Sequence, residues 1–175
     1  LFRMYDIQRG SIKIDGVDIS RLGLHTLRRP GALAIIPQDP VCFSGDIRSN
    51  LDPFHEHDDA ALWEALERTS LRAFVEAQDK QLGATIEEFG QNLSQGTRQL
   101  ICIARALLRK PKVLVMDEAT SSVDERTDAA VQAMVRRNFA DCTVLAIAHR
   151  LNTIMDSDAI LVLDKGVLKE NGTAE

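Results

Sequence analysis

Val113-Leu114-Val115-Met116 is an unbroken apolar run with a β-branched bias, and it stops abruptly at two adjacent carboxylates, Asp117 and Glu118. A strand with no polar face must be covered on both sides. Open parallel sheets flanked by helices provide that cover, and in them ligands bind beyond the carboxyl ends of the strands. The two acids fall at that position. One carboxylate can hold Mg²⁺ on a nucleotide while its neighbour positions or deprotonates a water. Taken alone, the string is more often a buried strand ending in a solvated acidic turn.

Two further strands repeat the pattern. Leu33-Ala34-Ile35-Ile36 breaks at Pro37-Gln38-Asp39-Pro40, which sets Gln38 just past a strand end. Thr143 to Ala148 reads as another buried strand, with His149-Arg150 at its exit. A lone glutamine or histidine after a strand is ordinarily structural. The coincidence of Gln38, Asp117 with Glu118, and His149 at three such exits is what gives the pattern weight.

A phosphate site is suggested by Asn92-Leu93-Ser94-Gln95-Gly96-Thr97-Arg98-Gln99. Behind it Leu100, Ile103, Ala104, Leu107 and Leu108 recur at helical spacing, so an amphipathic helix starts here. Ser94 is placed to cap it, and Gly96 lets a bulky group approach its first turn. A helix start with free N–H groups, a hydroxyl and a glycine suits an anion, although any ordinary N-cap looks similar.

The other segments are scaffold. Ser11 to Ile19, with Asp15-Gly16 at its centre, reads as a β-hairpin, and so does Ala159 to Leu168 around Asp164-Lys165-Gly166. From Ser44 to about Gln78 the pattern is helical, with Asp58 capping a helix that buries Leu62, Ala65 and Leu66; no strong strand is expected before Asn92. Such an insert between strand-bearing portions reads as a small subdomain. Ser122 and Glu125 have capping-box spacing ahead of the stripe Val131, Met134, Val135, Phe139. Leu1 to Tyr5 reads as the tail of a helix already under way.

Composition excludes several partners. With 26 acidic against 21 basic residues, the net charge of -5 argues against a nucleic-acid or anionic-membrane footprint. No apolar run approaches the ~20 residues needed to cross a bilayer. Cys42, Cys102 and Cys142 are widely spaced and suit a reducing compartment. His55 and His57 lie in a polar loop without matching ligands, so a metal site there is not expected.

Together these stretches resemble the nucleotide-binding domain of ATP-binding cassette (ABC) transporters over nearly the whole chain. Pro37-Gln38 is similar to the Q-loop, Leu93 to Gln99 to the signature motif, and Val113 to Glu118 to Walker B with its catalytic glutamate. Ser121 to Asp124 resembles the D-loop, and His149 the switch histidine. Ile35 to Val41 and Ile47 to Phe54 resemble the second such domain of the C (multidrug-resistance-associated) subfamily. The resemblance implies an α/β fold: a P-loop NTPase-like (RecA-like) parallel-sheet core, an antiparallel β portion, and a helical subdomain at about 38–93 within a partial domain spanning 1–175.

Carried over residue by residue, the resemblance implies ATP and Mg²⁺ as ligands. Asp117 would hold Mg²⁺, with Gln38 on the metal or the water. Glu118 would polarise the attacking water and His149 would contact the γ-phosphate. Ser94, Gly96 and Asp124 would serve nucleotide held in a head-to-tail sandwich with a second nucleotide-binding domain. The helical insert would face transmembrane domains on the cytosolic side of a membrane. Two departures stand out. No G-x-x-x-x-G-K-[ST] (Walker A) occurs in the chain, and Leu93-Ser94-Gln95-Gly96-Thr97 differs from L-S-G-G-Q at its third and fifth positions. The expectation is therefore an ATP-hydrolysing exporter motor, with a truncated, catalytically inactive domain lacking autonomous nucleotide binding as the alternative. An ABC-type ATPase of DNA maintenance is disfavoured by the lack of sustained heptads or a basic stripe.

Overall fold

A computed structural model describes residues 1–117, 125–148 and 154–174, apart from the side chains at 125–128. The first residues are irregular; the helix tail expected at Leu1 to Tyr5 is not there. Tertiary hydrogen bonds hold them instead. The Arg3 guanidinium donates to the carbonyls of Ile19 and Leu22, while Arg28 donates to those of Phe2 and Arg3. Residues 1–5 thus serve as a strap across the next elements.

The first hairpin forms as expected between β1 (Lys13–Ile14) and β2 (Val17–Asp18). Its turn places Asp15 at φ 50° and Gly16 at φ 77°, the paired positive values a two-residue turn between twisted strands needs. A short helix, α1 (Leu24–Arg28), leads into β3 (Leu33–Ile36).

Next comes the helical unit. β4 (Gly45–Asp46) runs into α2 (Ile47–Leu51), whose start is a capping box of Asp46 and Ser49. α3 (Asp59–Arg68) is capped by Asp58, which accepts from the Ala61 N–H at 2.9 Å, and α4 (Arg72–Glu76) follows. β5 (Thr85–Ile86) then returns to pair antiparallel with β4, Gly45 opposite Ile86. This two-residue ribbon closes the neck of the unit. It is the short exception within a stretch where no strong strand is expected before Asn92: Gly-Asp and Thr-Ile are too short for periodicity, and closure of the unit forms the ladder.

α5 (Gln95–Arg109) is the wall between two cores. Ile103, Ala106 and Leu107 pack with Ala34, Ile36, Leu114 and Met116 of the sheet. Ile101, Ala104 and Leu108 pack with Leu62, Leu66 and Val75 of the helical unit. A helix buried on two sides needs a wider apolar arc than a surface helix, so Ile101, Cys102 and Ala106 join the expected stripe.

β6 (Val113–Asp117) is the middle strand of a three-stranded parallel sheet, between β3 and the later β7. α6 (Glu125–Asn138) covers it with Val131, Met134 and Val135, joined by Phe139 just past the helix end, all buried. β7 (Thr143–Ile147) corrects the reading of a buried strand, because Val144, Leu145 and Ile147 are 39%, 45% and 56% exposed. The cause is position: β7 pairs with β6 alone, at the edge of the described sheet. The closing hairpin, β8 (Ile160–Asp164) and β9 (Val167–Gly172), turns through Lys165 at φ 50° and Gly166 at φ 76°. The molecule is a mixed α/β fold, with one parallel sheet, antiparallel ribbons and a helical unit.

Candidate functional site

The register of the parallel sheet decides where its exits fall. Ile36 lies opposite Met116, and Asp117 opposite Ile147. All three strands therefore end within about one residue of each other on one edge. Asp117 is half-buried as the last residue of β6, and Gln38, exposed, follows β3 by two residues. Parallel neighbours stand ~4.8 Å apart, so Asp117 and the residues after β3 leave adjacent strands at the same edge of the sheet. Oxygen donors from two rigid strand ends fit a hard cation such as Mg²⁺. Glu118, Asp124 and His149 lie outside the described residues, as does Ser122 of the expected capping box. Ala148, the residue before His149, leaves β7 at the same edge.

A second group lies at the start of α5. Ser94 is the N-cap (φ -64°, ψ 155°), and its Oγ accepts from the Thr97 N–H at 3.1 Å. The two hydroxyls of Ser94 and Thr97 lie 2.8 Å apart. A β-carbon placed on Gly96 would meet only Ser94 Oγ, at 3.9 Å, so the first turn is open to an approaching group. The positive end of a 15-residue helix and its free N–H groups complete an anion-compatible cradle. The residues inferred from sequence therefore separate into a strand-edge group, Gln38 and Asp117, and a helix-start group, Ser94 and Gly96.

Local geometry ahead of α5 depends on a glycine that sequence reasoning missed. Phe89 and Gly90 both have positive φ, 55° and 67°. A β-carbon on Gly90 would lie 2.9 Å from Arg98 Cδ and 3.0 Å from Cys42 Cβ, so chain, helix and Q-loop-side segment meet there. Two left-handed residues in succession carried no flag beyond the glycine itself. Asn92 steadies the approach by accepting from the Glu87 N–H and donating to the Thr85 carbonyl, at 3.0 and 2.8 Å.

Arg105 was also missed. From the middle of α5 its guanidinium reaches the backbone of Val41 and both the backbone and side chain of Asn50. Cys42 and Cys102 flank this region; burial pushes both thiols up, with nearby Arg105 only partly offsetting it. They are packing thiols, not nucleophiles.

A parallel sheet with a carboxylate at its exit edge, flanked by a helix opening on a hydroxyl and a glycine, is the arrangement of a ligand-binding α/β domain. The family description "ABC transporter" matches residues 1–121, and the chain belongs to that family. It is 52% identical over 175 residues to ATP-binding cassette sub-family C member 2 of Rattus norvegicus, covering 100% of this chain and 11% of the relative. It is 55% identical over 170 residues to ABC transporter C family member 12 of Dictyostelium discoideum, covering 97% of this chain and 13% of the relative. In structure it is similar to a bacterial Atm1-family ABC exporter with ATP bound, with a TM-score of 0.90 and 38% identity, over 99% of this chain and 30% of that one. The chain thus spans about a tenth of the length of these curated relatives.

Proposed function

We propose that this chain is part of the ATP-hydrolysing motor domain of an ABC exporter, coupling MgATP hydrolysis to transmembrane transport of a small or amphipathic solute. The observation that carries the reading is the common exit edge of β3, β6 and β7, at which Asp117 ends β6 and Gln38 follows β3 by two residues. Asp117 and Gln38 would hold Mg²⁺, which when bound supplies charge neutralisation along the phosphates. Beside them, Glu118 orients the attacking water and takes its proton, and His149 donates to the terminal phosphate.

A strand-edge group and a helix-start group on different elements suit a two-domain site. Ser94 and Gly96 then offer their N–H groups and hydroxyl to nucleotide held by a second nucleotide-binding domain, with Asp124 at the same junction. The helical unit faces transmembrane domains, which sets the protein at the cytosolic face of a membrane. No helix among the described residues is long and apolar enough to cross one.

The 175 residues contain no G-x-x-x-x-G-K-[ST], so the test belongs to the longer polypeptide that contains them. There, Glu118→Gln is expected to lower ATP turnover by about 100-fold or more while ATP-dependent closure of the paired domains persists. Steady-state phosphate release and cross-linking across the domain interface measure the two quantities. Undiminished turnover in that variant overturns the role assigned to Glu118.

A further inference from the structure

Arg105 sits three helical turns beyond Ser94, yet its guanidinium hydrogen-bonds segments more than 50 residues back along the chain. Its Nη1 donates to the Val41 carbonyl at 2.5 Å, its Nε to the Asn50 carbonyl at 2.5 Å, and its Nη2 to Asn50 Oδ1 at 2.8 Å. The guanidinium also lies over the Phe43 ring, 5.8 Å from its centroid. Asn50 is 2% exposed and extends the net: its Nδ2 donates to the carbonyls of Phe43 and Asp46, and its Oδ1 accepts from the Phe43 N–H at 2.9 Å. Every one of these acceptors is a neutral oxygen, and among the described residues Arg105 makes no ion pair. Arginine's planar fork suits this work; a lysine ammonium on a flexible stem cannot serve the same acceptors at once.

What the net joins gives it meaning. Val41 to Phe43 is the segment three to five residues after Gln38, and Asn50 belongs to α2 of the helical unit. Arg105 belongs to α5, whose first turn carries Ser94 and Gly96. One side chain therefore fastens the strand-edge exit, the helical unit and the helix-start group to each other. We propose that Arg105 is a positioning residue: through Val41, Phe43 and Asn50 it ties the placement of Gln38 to that of α5, so that a shift of either is felt by the other. This rests on the motor reading, in which Gln38 and Ser94 both serve the nucleotide.

The test is steady-state ATP hydrolysis by the longer transporter carrying Arg105→Lys, with Asn50→Ala and Glu118→Gln beside it. The expected result is a kcat for Arg105→Lys about 10-fold below wild type with the KM for ATP within about threefold. Asn50→Ala should fall similarly, and the double variant should be no worse than the worse single, as expected of one unit. Arg105→Lys keeps the charge, so rescue by lysine, with kcat within twofold of wild type, overturns the proposal. A fall in kcat that merely tracks loss of folded protein, by thermal melting, overturns it too. Hydrogen exchange in the 175-residue chain gives a readout independent of turnover. Arg105→Lys should speed exchange of the Phe43 amide about 10-fold while α6 is unchanged, and unchanged Phe43 exchange counts against the fastener. Absence of ATP turnover in the wild-type transporter, in contrast, condemns the motor reading and leaves the exchange result standing.

Discussion

In the helical unit, Asp46 and Asp52 are carboxyls whose folded surroundings favour the charged form. Hydrogen bonding from Ser49, by side chain and then by backbone N–H, holds the Asp46 carboxyl below its usual range of about 3.8. For Asp52, burial pushes upward but is outweighed by the N–H groups of Glu56 and His57, at 3.1 and 2.8 Å, and the net is again downward. A carboxyl with a depressed folded-state pKa adds stability that is complete above its unfolded value. That stability is lost as pH falls through the folded value. The chain should therefore lose stability as the pH is lowered below about 4, and Asp46→Asn should flatten that acid limb as well as weaken the fold at neutral pH. Urea titrations of both proteins at pH 6 and pH 3 measure this; parallel losses in the two would show that Asp46 does not contribute.

At the scale of elements, α5 shows what local chemistry announces and what it hides. Its cap at Ser94 and its stripe of Ile103, Ala104, Leu107 and Leu108 were legible, because both are set within a few residues by turn chemistry and helical period. Gly90 and Arg105 were not, because their roles come from contacts with Cys42, Val41 and Asn50, 48 to 64 residues away in sequence. β7 failed for a related reason: an apolar run signals the wish to be covered, and only the neighbours decide whether it is. The same logic predicts energetics. Ile103 is fully buried against the sheet, so Ile103→Ala should cost about 2–5 kcal/mol of stability by chemical denaturation. A cost below about 1 kcal/mol would mean that the α5–sheet contact is looser than described.

For the molecule as a whole, the decisive join is that of β3 to β6, strands adjacent in the sheet but separated in sequence by the entire helical unit, from Ile36 to Val113. Bringing distant ends together costs entropy that grows slowly with loop length, about 0.6 kcal/mol per doubling. The small ribbon of β4 and β5 changes that reckoning. Once Gly45 meets Ile86, the unit is closed and the effective gap between Ile36 and Val113 is about halved, from 77 residues to 36. The ribbon is then an event in time: the neck should close early, and the parallel sheet should assemble behind it. Refolding kinetics can read the sequence of steps, since Ile86→Val perturbs the neck and Ile36→Val the sheet, both from fully buried positions. The neck variant should slow refolding in proportion to its destabilisation, while the sheet variant should mainly speed unfolding. The reverse pattern would mean that β3 and β6 find each other across an open loop. On the expected pattern, a ribbon of two residues per strand governs how quickly the sheet edge near Gln38 and Asp117 comes into being.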